Sequence, residues 1–441
     1  MTLEADSDVQ DPRVRDERYN RAGRARAMTV LSPVQKWARF PLNLRGRVVR
    51  LPVPGWPATE VVFGWVRANL TESTDIEKLS FIHFARWGLI RSIPDLGQPT
   101  ERLEHPMFMF ESNYDGTFEQ YIDAFSSVLG SGMTAFWFTS CGFPGPRPVQ
   151  PFKDYIRQNE FVLDHYYSAY PTESVTQVAM ALELRDRHIE FRNTAADCKP
   201  AEFASRFEAL LALPKPPNSA PDGGRLWRRL RRRLRQASRF ARELFRTAEG
   251  PGRRSRNGRS LYFTSLAPIR DDAEAELADL LERLEGSPFA AIPSVHMARW
   301  LIIDGFKYGW KGAPENRTQL ASSYLLCTAV VTADDDFSAE LLPDSFLYAL
   351  LEGTNGVATS VWSHCLGFPD KADIDASVAY LKRSQLDTLL FYGGYPSSTP
   401  ADVRRAATGR DLLSSFVRCN EERGPAGLQA AYLKEASAWD L

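Results

Sequence analysis

Apolar positions follow two rhythms along the chain. Some short runs alternate or are continuously apolar and read as strands. Longer stretches repeat every three or four residues and read as helices. Residues 260–269 are strand-like. Residues 271–286 are an acidic helical pattern striped by Leu277, Leu280, Leu281 and Leu284, with Asp271 and Asp272 suited to its start and Gly286 to its end. Strands at 294–304 and 322–332, a helix at 342–351 and a strand at 357–363 follow. The order is strand-helix-strand-strand-helix-strand, the ferredoxin-like arrangement. The N-terminal half supports the same order. It has a strand at 27–34, a short helix at 59–69, a hairpin of 79–89 with 107–112, a helix at 116–129 and a strand at 133–139. Each half then adds a helix and a strand, at 152–159 with 161–167 and at 374–384 with 386–392.

Short motifs recur in the same order in both halves. Ser80-Phe81-Ile82-His83-Phe84-Ala85-Arg86-Trp87 is echoed by Ser294-Val295-His296-Met297-Ala298-Arg299-Trp300, Cys141-Gly142-Phe143-Pro144 by Leu366-Gly367-Phe368-Pro369, and Tyr170-Pro171 by Tyr395-Pro396. A sheet covered by helices on one side must bury its other face. The expected fold is therefore α+β: tandem duplicated ferredoxin-like units whose antiparallel sheets pack as a pseudo-twofold barrel or sandwich. The expected boundaries are a flexible segment 1–26, a first repeat 27–214, a connector 215–259, a second repeat 260–420 and a tail 421–441.

Composition narrows the class. The chain has 441 residues, 44% of them apolar, and five cysteines with no CxxC pair, which disfavours a disulfide framework or structural zinc. The acidic start has no apolar leader, and no 18-residue apolar run appears. A cytoplasmic protein, peripheral to a membrane at most, is expected.

The repeated strand carries the first candidate chemistry. Strict alternation puts Phe81, His83, Ala85 and Trp87 on one face and Ile82, Phe84 and Arg86 on the other. Both faces are apolar around the histidine and arginine, so burial on both sides is expected. Two roles remain open for His83 and His296: holding neighbouring backbone, or serving a cavity as ligand or acid/base. Where strand meets helix, Asp115 precedes Gly116. Asp115, Arg86 and His83 form the most economical catalytic constellation. His364, in Trp362-Ser363-His364-Cys365, is a further candidate ligand from a loop.

This duplicated plan resembles the dimeric α+β barrel superfamily, which includes dye-decolorising peroxidases and chlorite dismutase-like haem proteins, over roughly residues 27–417. Asn113-Tyr114-Asp115-Gly116 is similar to the end of the peroxidases' Gly-x-x-Asp-Gly motif, with Ser112 in place of the first glycine. The resemblance implies haem, a peroxidase-like reaction on an unidentified small molecule, Asp115 as distal acid and a nearby arginine assisting peroxide cleavage. Residues 342–351 hold no histidine, so His296 and His364, with Arg299, stand as the haem-binding candidates.

The net charge of −1 hides one basic segment. Residues 225–259 contain fourteen arginines against Glu243 and Glu249. Between Arg225 and Arg246, an apolar stripe including Leu226, Trp227, Phe240 and Phe245 runs among Arg228, Arg232, Arg235 and others. Such a helix can sink its apolar face into a membrane interface while arginines meet anionic headgroups. An acidic protein surface is an equal alternative, and nucleic acid is weaker because the stripe also needs an apolar surface. The rival to the enzyme reading is therefore a non-catalytic ligand-binding or interaction scaffold recruited to anionic membranes. A small hydrophobic ligand suits either reading.

Overall fold

The computed structural model describes residues 20–44, 47–70, 80–129, 131–212, 255–333, 344–370, 373–436 and 439. Two main sheets are built from the long apolar strands. The first runs β1 (Arg21–Ala22), β2 (Ala25–Pro33), β6 (Glu101–Asp115), β5 (Ile82–Ile93), β13 (Thr388–Gly393), with β7 (Glu160–Phe161) also paired to β2. The second runs β8 (His165–Ser168), β11 (Val295–Ile303), β12 (Tyr324–Thr332), β10 (Ser260–Pro268), β9 (Arg256–Asn257). A separate hairpin pairs β3 (Trp37–Leu44) with β4 (Arg47–Pro54).

Alternation along these strands sorts side chains between two environments. Leu31, Met107, Met109, Phe84 and Ile90 of the first sheet share one cluster with Tyr262, Leu266, Met297, Leu301 and Leu326 of the second. The opposite face of the first sheet, with Val30, Trp87 and Phe110, lies under α1 (Gly55–Leu70), α2 (Phe118–Leu129), α3 (Ser131–Trp137) and α4 (Val149–Asn159). The opposite face of the second, with Phe263, Trp300 and Cys327, lies under α7 (Glu274–Glu282), α8 (Asp344–Glu352), α9 (Val357–Trp362) and α10 (Ile374–Arg383). Burying both faces explains why these strands read as nearly continuous apolar runs. A fourth cluster joins α5 (Val175–Thr194), α6 (Pro200–Leu211), α11 (Pro400–Asn420) and α12 (Pro425–Glu435) through Phe191, Phe203, Phe207, Phe416 and Tyr432.

Several expectations need correction. Residues 133–139 and 357–363, expected to be closing strands, fall in or around helices α3 and α9. Their short apolar runs carry no period that separates buried helix from strand, and the helices place Trp137 and Trp362 fully buried against the sheets. The fourth full strand comes instead from the other half of the chain. β8 joins β11, and β13 joins β5. The expected barrel is not formed, because the sheets are open and end at β1 and β13 and at β8 and β9. Residues 20–26 are not loose: they form β1 and the start of β2, and Arg24 N–H donates to Pro171 O at 2.7 Å. Gly23, at φ +63°, permits this approach, since a Cβ there would stand 2.1 Å from the Pro171 oxygen. Residues 421–441 include α12 rather than only a tail.

Candidate functional site

Polar side chains meet in the apolar layer between the sheets. Ile82 pairs with Tyr114 and Phe84 with Asn113, so His83 is an extra residue in β5. His296 has the same place in β11, between Val295↔Val331 and Met297↔Val330. A bulge shifts the alternation by one residue. The expected sharing of a face by His83 with Ala85 and Trp87 is therefore corrected. Ala85 and Trp87 pack under the helices, while His83 meets Tyr170 and Tyr395 from the layer between the sheets.

The histidines are ends of one hydrogen-bonded line. Tyr395 Oη donates to Tyr170 Oη at 2.8 Å. That commits the Tyr395 proton, so His83 Nδ1 donates to Tyr395 at 2.6 Å. Tyr170 in turn donates to His296 Nδ1 at 2.9 Å, and His296 Nε2 donates to Thr332 Oγ1 at 2.7 Å. Beyond His83, Nε2 lies 3.0 Å from Asp115 Oδ1, and Asp115 Oδ2 accepts the Val175 N–H at 2.6 Å. Both imidazoles are fully buried. Burial, with the His83 and Arg404 charges adding, pushes His296 down to about 3. Desolvation also raises the Tyr170 and Tyr395 hydroxyls well above their ordinary range.

A second network lies beside the first. Arg86 Nη1 is 3.3 Å from Glu111 Oε2, and Arg299 Nη1 is 3.9 Å from Glu111 Oε1. Arg86 also donates from Nε to Thr388 at 2.9 Å and from Nη2 to the Asp387 carbonyl at 3.0 Å. Arg299 donates to the Met28 carbonyl at 2.9 Å and to Asn113 Oδ1 at 2.5 Å. All three charged side chains are buried. One carboxylate shared by two guanidiniums is tolerated because carbonyls and hydroxyls take up the remaining donors.

Of the candidate constellation, His83 and Asp115 meet directly, whereas Arg86 joins Glu111 and Arg299. His296 reaches His83 only through the two tyrosines. His364 stands apart: its Nδ1 is 2.9 Å from the Ser360 carbonyl, and its Nε2 faces Glu276 at 3.7 Å. The sequence reading did not assign Tyr170, Tyr395, Glu111 or Thr332 to a site. The repeated Tyr-Pro pair was the available signal for the tyrosines. Leu226, Trp227, Arg228, Arg232, Arg235, Phe240 and Phe245 lie outside the described residues.

Haem ligation by the two buried histidines is at odds with the same geometry. Both ring nitrogens of His296 are occupied, and those of His83 are engaged by Tyr395 and Asp115, so neither imidazole presents a nitrogen to iron. His364 Nδ1 holds backbone. Among the described residues, no group of three or more His, Cys, Asp or Glu is placed to hold a metal ion, and no helix is long and apolar enough to cross a membrane. No protein-family model matches the chain, and no curated protein matches it significantly. With open sheets and no family match, the assignment to the dimeric α+β barrel superfamily and its peroxidases is withdrawn.

Proposed function

We propose that the protein is a non-catalytic interaction scaffold held at anionic membrane surfaces by the segment from Arg225 to Arg246. The observation that carries the scaffold reading is the mutual saturation of the buried line. Each imidazole nitrogen and tyrosine hydroxyl in it has a protein partner, as expected of groups that fix a packing arrangement. We also read the architecture as one unit repeated twice, its two sheets packed as a sandwich. The like pairings support this: Gly23 against Pro171 and Gly258 against Pro396, and Arg24 N–H to Pro171 O at 2.7 Å beside Arg259 N–H to Pro396 O at 2.9 Å.

The membrane half of the proposal rests on the arginine-flanked apolar stripe. The full chain is expected to co-sediment with vesicles containing phosphatidylserine, less so with pure phosphatidylcholine, and to release as salt rises. Replacing Arg228, Arg232 and Arg235 by glutamine should weaken binding several-fold. Equal binding to neutral vesicles, or binding indifferent to salt, would remove this reading.

One observation favours a second reading. Thr332, the last hydroxyl of the buried line, also lines a cavity of about 360 Å³ with Ser294, Ser345, Phe346 and Thr399. A small molecule with a hydroxyl or amide beside an apolar part suits this lining. Thermal-shift screening with such compounds, repeated on Ala349→Trp to fill the cavity, tests it: a shift shared by both proteins places the ligand elsewhere.

A further inference from the structure

The hairpin β3–β4 and helix α1 form a surface unlike the rest of the molecule. Among the described residues, five of the ten exposed large hydrophobics lie within 37–65, including all three exposed tryptophans: Trp37 at 67% exposure, Trp65 at 56%, Trp56 at 42%, with Val61 and Leu51. The same stretch is basic. Residues 35–65 contain Lys36, Arg39, Arg45, Arg47 and Arg50 against the single acid Glu60; Lys36 pairs with Glu104, and Arg91 stacks over Trp56 at 4.9 Å. On α1, Val61 and Trp65 lie on the side away from Phe63, which is fully buried against Trp87, Phe108 and Phe136, while Trp56, seven residues before Phe63, lies toward the Phe63 side. Gly55, where a Cβ would lie 1.8 Å from the Gln35 carbonyl, closes the hairpin's root onto the helix.

From this we infer that the hairpin–α1 surface is a second membrane-contact site, which docks on an anionic lipid bilayer and seats Trp37 and Trp65 at the headgroup level. The inference rests on the membrane reading proposed above. Tryptophan favours the polar–apolar boundary of a bilayer, and clustered cations favour its anionic face. The hairpin itself argues against a protein strand as occupant. Pro41 pairs with Arg50, Pro52 with Arg39 and Pro54 with Trp37. Proline gives no N–H to a ladder, so these positions turn toward the outer edges and strip donors that an added strand would need.

The test uses the full chain and vesicles of phosphatidylcholine with or without 30% phosphatidylserine. One variant carries Trp37→Ser, Leu51→Ser and Trp65→Ser, all exposed positions. A second carries Arg228→Gln, Arg232→Gln and Arg235→Gln. Brominated lipids report tryptophan depth. The surface variant should bind anionic vesicles about tenfold or more weakly and lose most bromine quenching while keeping the wild-type circular dichroism. The arginine variant should keep the quenching of whatever fraction binds. Unchanged affinity and quenching in the surface variant overturn this inference while leaving the connector reading intact. Loss in the surface variant alone supports the inference and removes the connector. No vesicle binding by the unmodified chain ends both. A dimer of the unmodified chain that the surface variant abolishes, without a change in vesicle binding, assigns the surface to self-association instead.

Discussion

The two ends of the buried line differ in one respect that explains their residues. At the His83 end the ring meets Asp115, whose second oxygen takes the N–H of Val175, the first residue of α5. At the His296 end the ring meets Thr332, and the first residue of α11 is Pro400, which has no N–H. Asp115 and Thr332 hold like places, opposite Ala25 and Ser260 at the ends of β6 and β12. A carboxylate stands where a helix-start donor needs an acceptor, and a hydroxyl suffices where proline removes that donor. The middle of the interface repeats the lesson. Arg86 is paired across its ladder with Glu111, Arg299 with Thr328. Thr328 in turn donates to Glu111 at 3.3 Å, so the first half supplies the one carboxylate that serves both arginines.

The largest break of this asymmetry is Glu111→Gln, which leaves two buried guanidiniums without their counter-charge. It should cost about 3–5 kcal/mol, against about 1.5–3 kcal/mol for Thr328→Val, which removes one hydrogen bond to that carboxylate and leaves both arginines their counter-charge. Urea denaturation of both variants reads the difference, and equal losses would mean that Glu111 is not the shared counter-ion. Next, Asp115→Asn should cost about 1.5–3 kcal/mol as charge-assisted bonds to His83 and Val175 weaken, and Thr332→Val about 1 kcal/mol. A Thr332→Val loss as large as that of Asp115→Asn would refute the division of roles between the ends.

Acid should sharpen the contrast at the other histidine. His296 is pushed down to about 3 from an ordinary 6.5, chiefly by burial. Between those values the unfolded chain binds a proton that the folded chain refuses, so this contribution is complete above pH 6.5 and declines as pH falls toward 3. His165 and His188, each lowered to about 4 by burial, act in the same direction. Replacing His296 by glutamine should flatten the profile, reducing the loss between pH 7 and pH 5 by about 2 kcal/mol. Parallel profiles for the two proteins would show that His296 is not held neutral.

Much of the framework was legible from periodicity. The strands 260–269, 294–304 and 322–332 match β10, β11 and β12 to within two residues, because two buried faces leave a continuous apolar run. The bulges at His83 and His296 were not legible, since one extra residue in a strand leaves no mark in composition. Nor was the placement of β13 beside β5, a pairing between residues about 300 apart that no local pattern encodes. At the site, His83 from the repeated strand was grouped with Asp115 at the strand–helix junction, and the two side chains lie 3.0 Å apart. Arg86 was grouped with them although strict alternation set it on the face opposite His83; its guanidinium reaches Glu111 instead, and Glu111 went unused because its burial depends on the second sheet covering it.

The smallest effects test the helix starts themselves. Ser174 accepts from Gln177 N–H and Thr399 from Asp402 N–H, each within a capping box. Ser174→Ala and Thr399→Ala should each cost about 1 kcal/mol, so the caps alone do not separate the two ends. Pro400→Ala does. It restores an N–H at the first turn of α11, where the one carboxylate at the helix start, Asp402, is already taken up by the Thr399 N–H and Oγ1, and it frees the unfolded chain from proline's restriction. Both changes oppose folding, so a loss of about 1 kcal/mol is expected. Adding Thr332→Asp supplies the missing acceptor and should recover part of that loss in the Pro400→Ala background, while destabilising the chain that keeps Pro400. Urea denaturation of the four combinations gives the coupling directly. A coupling near zero would mean that Asp115 owes its place to His83 alone and that the proline at the opposite helix start is unrelated to the missing acid.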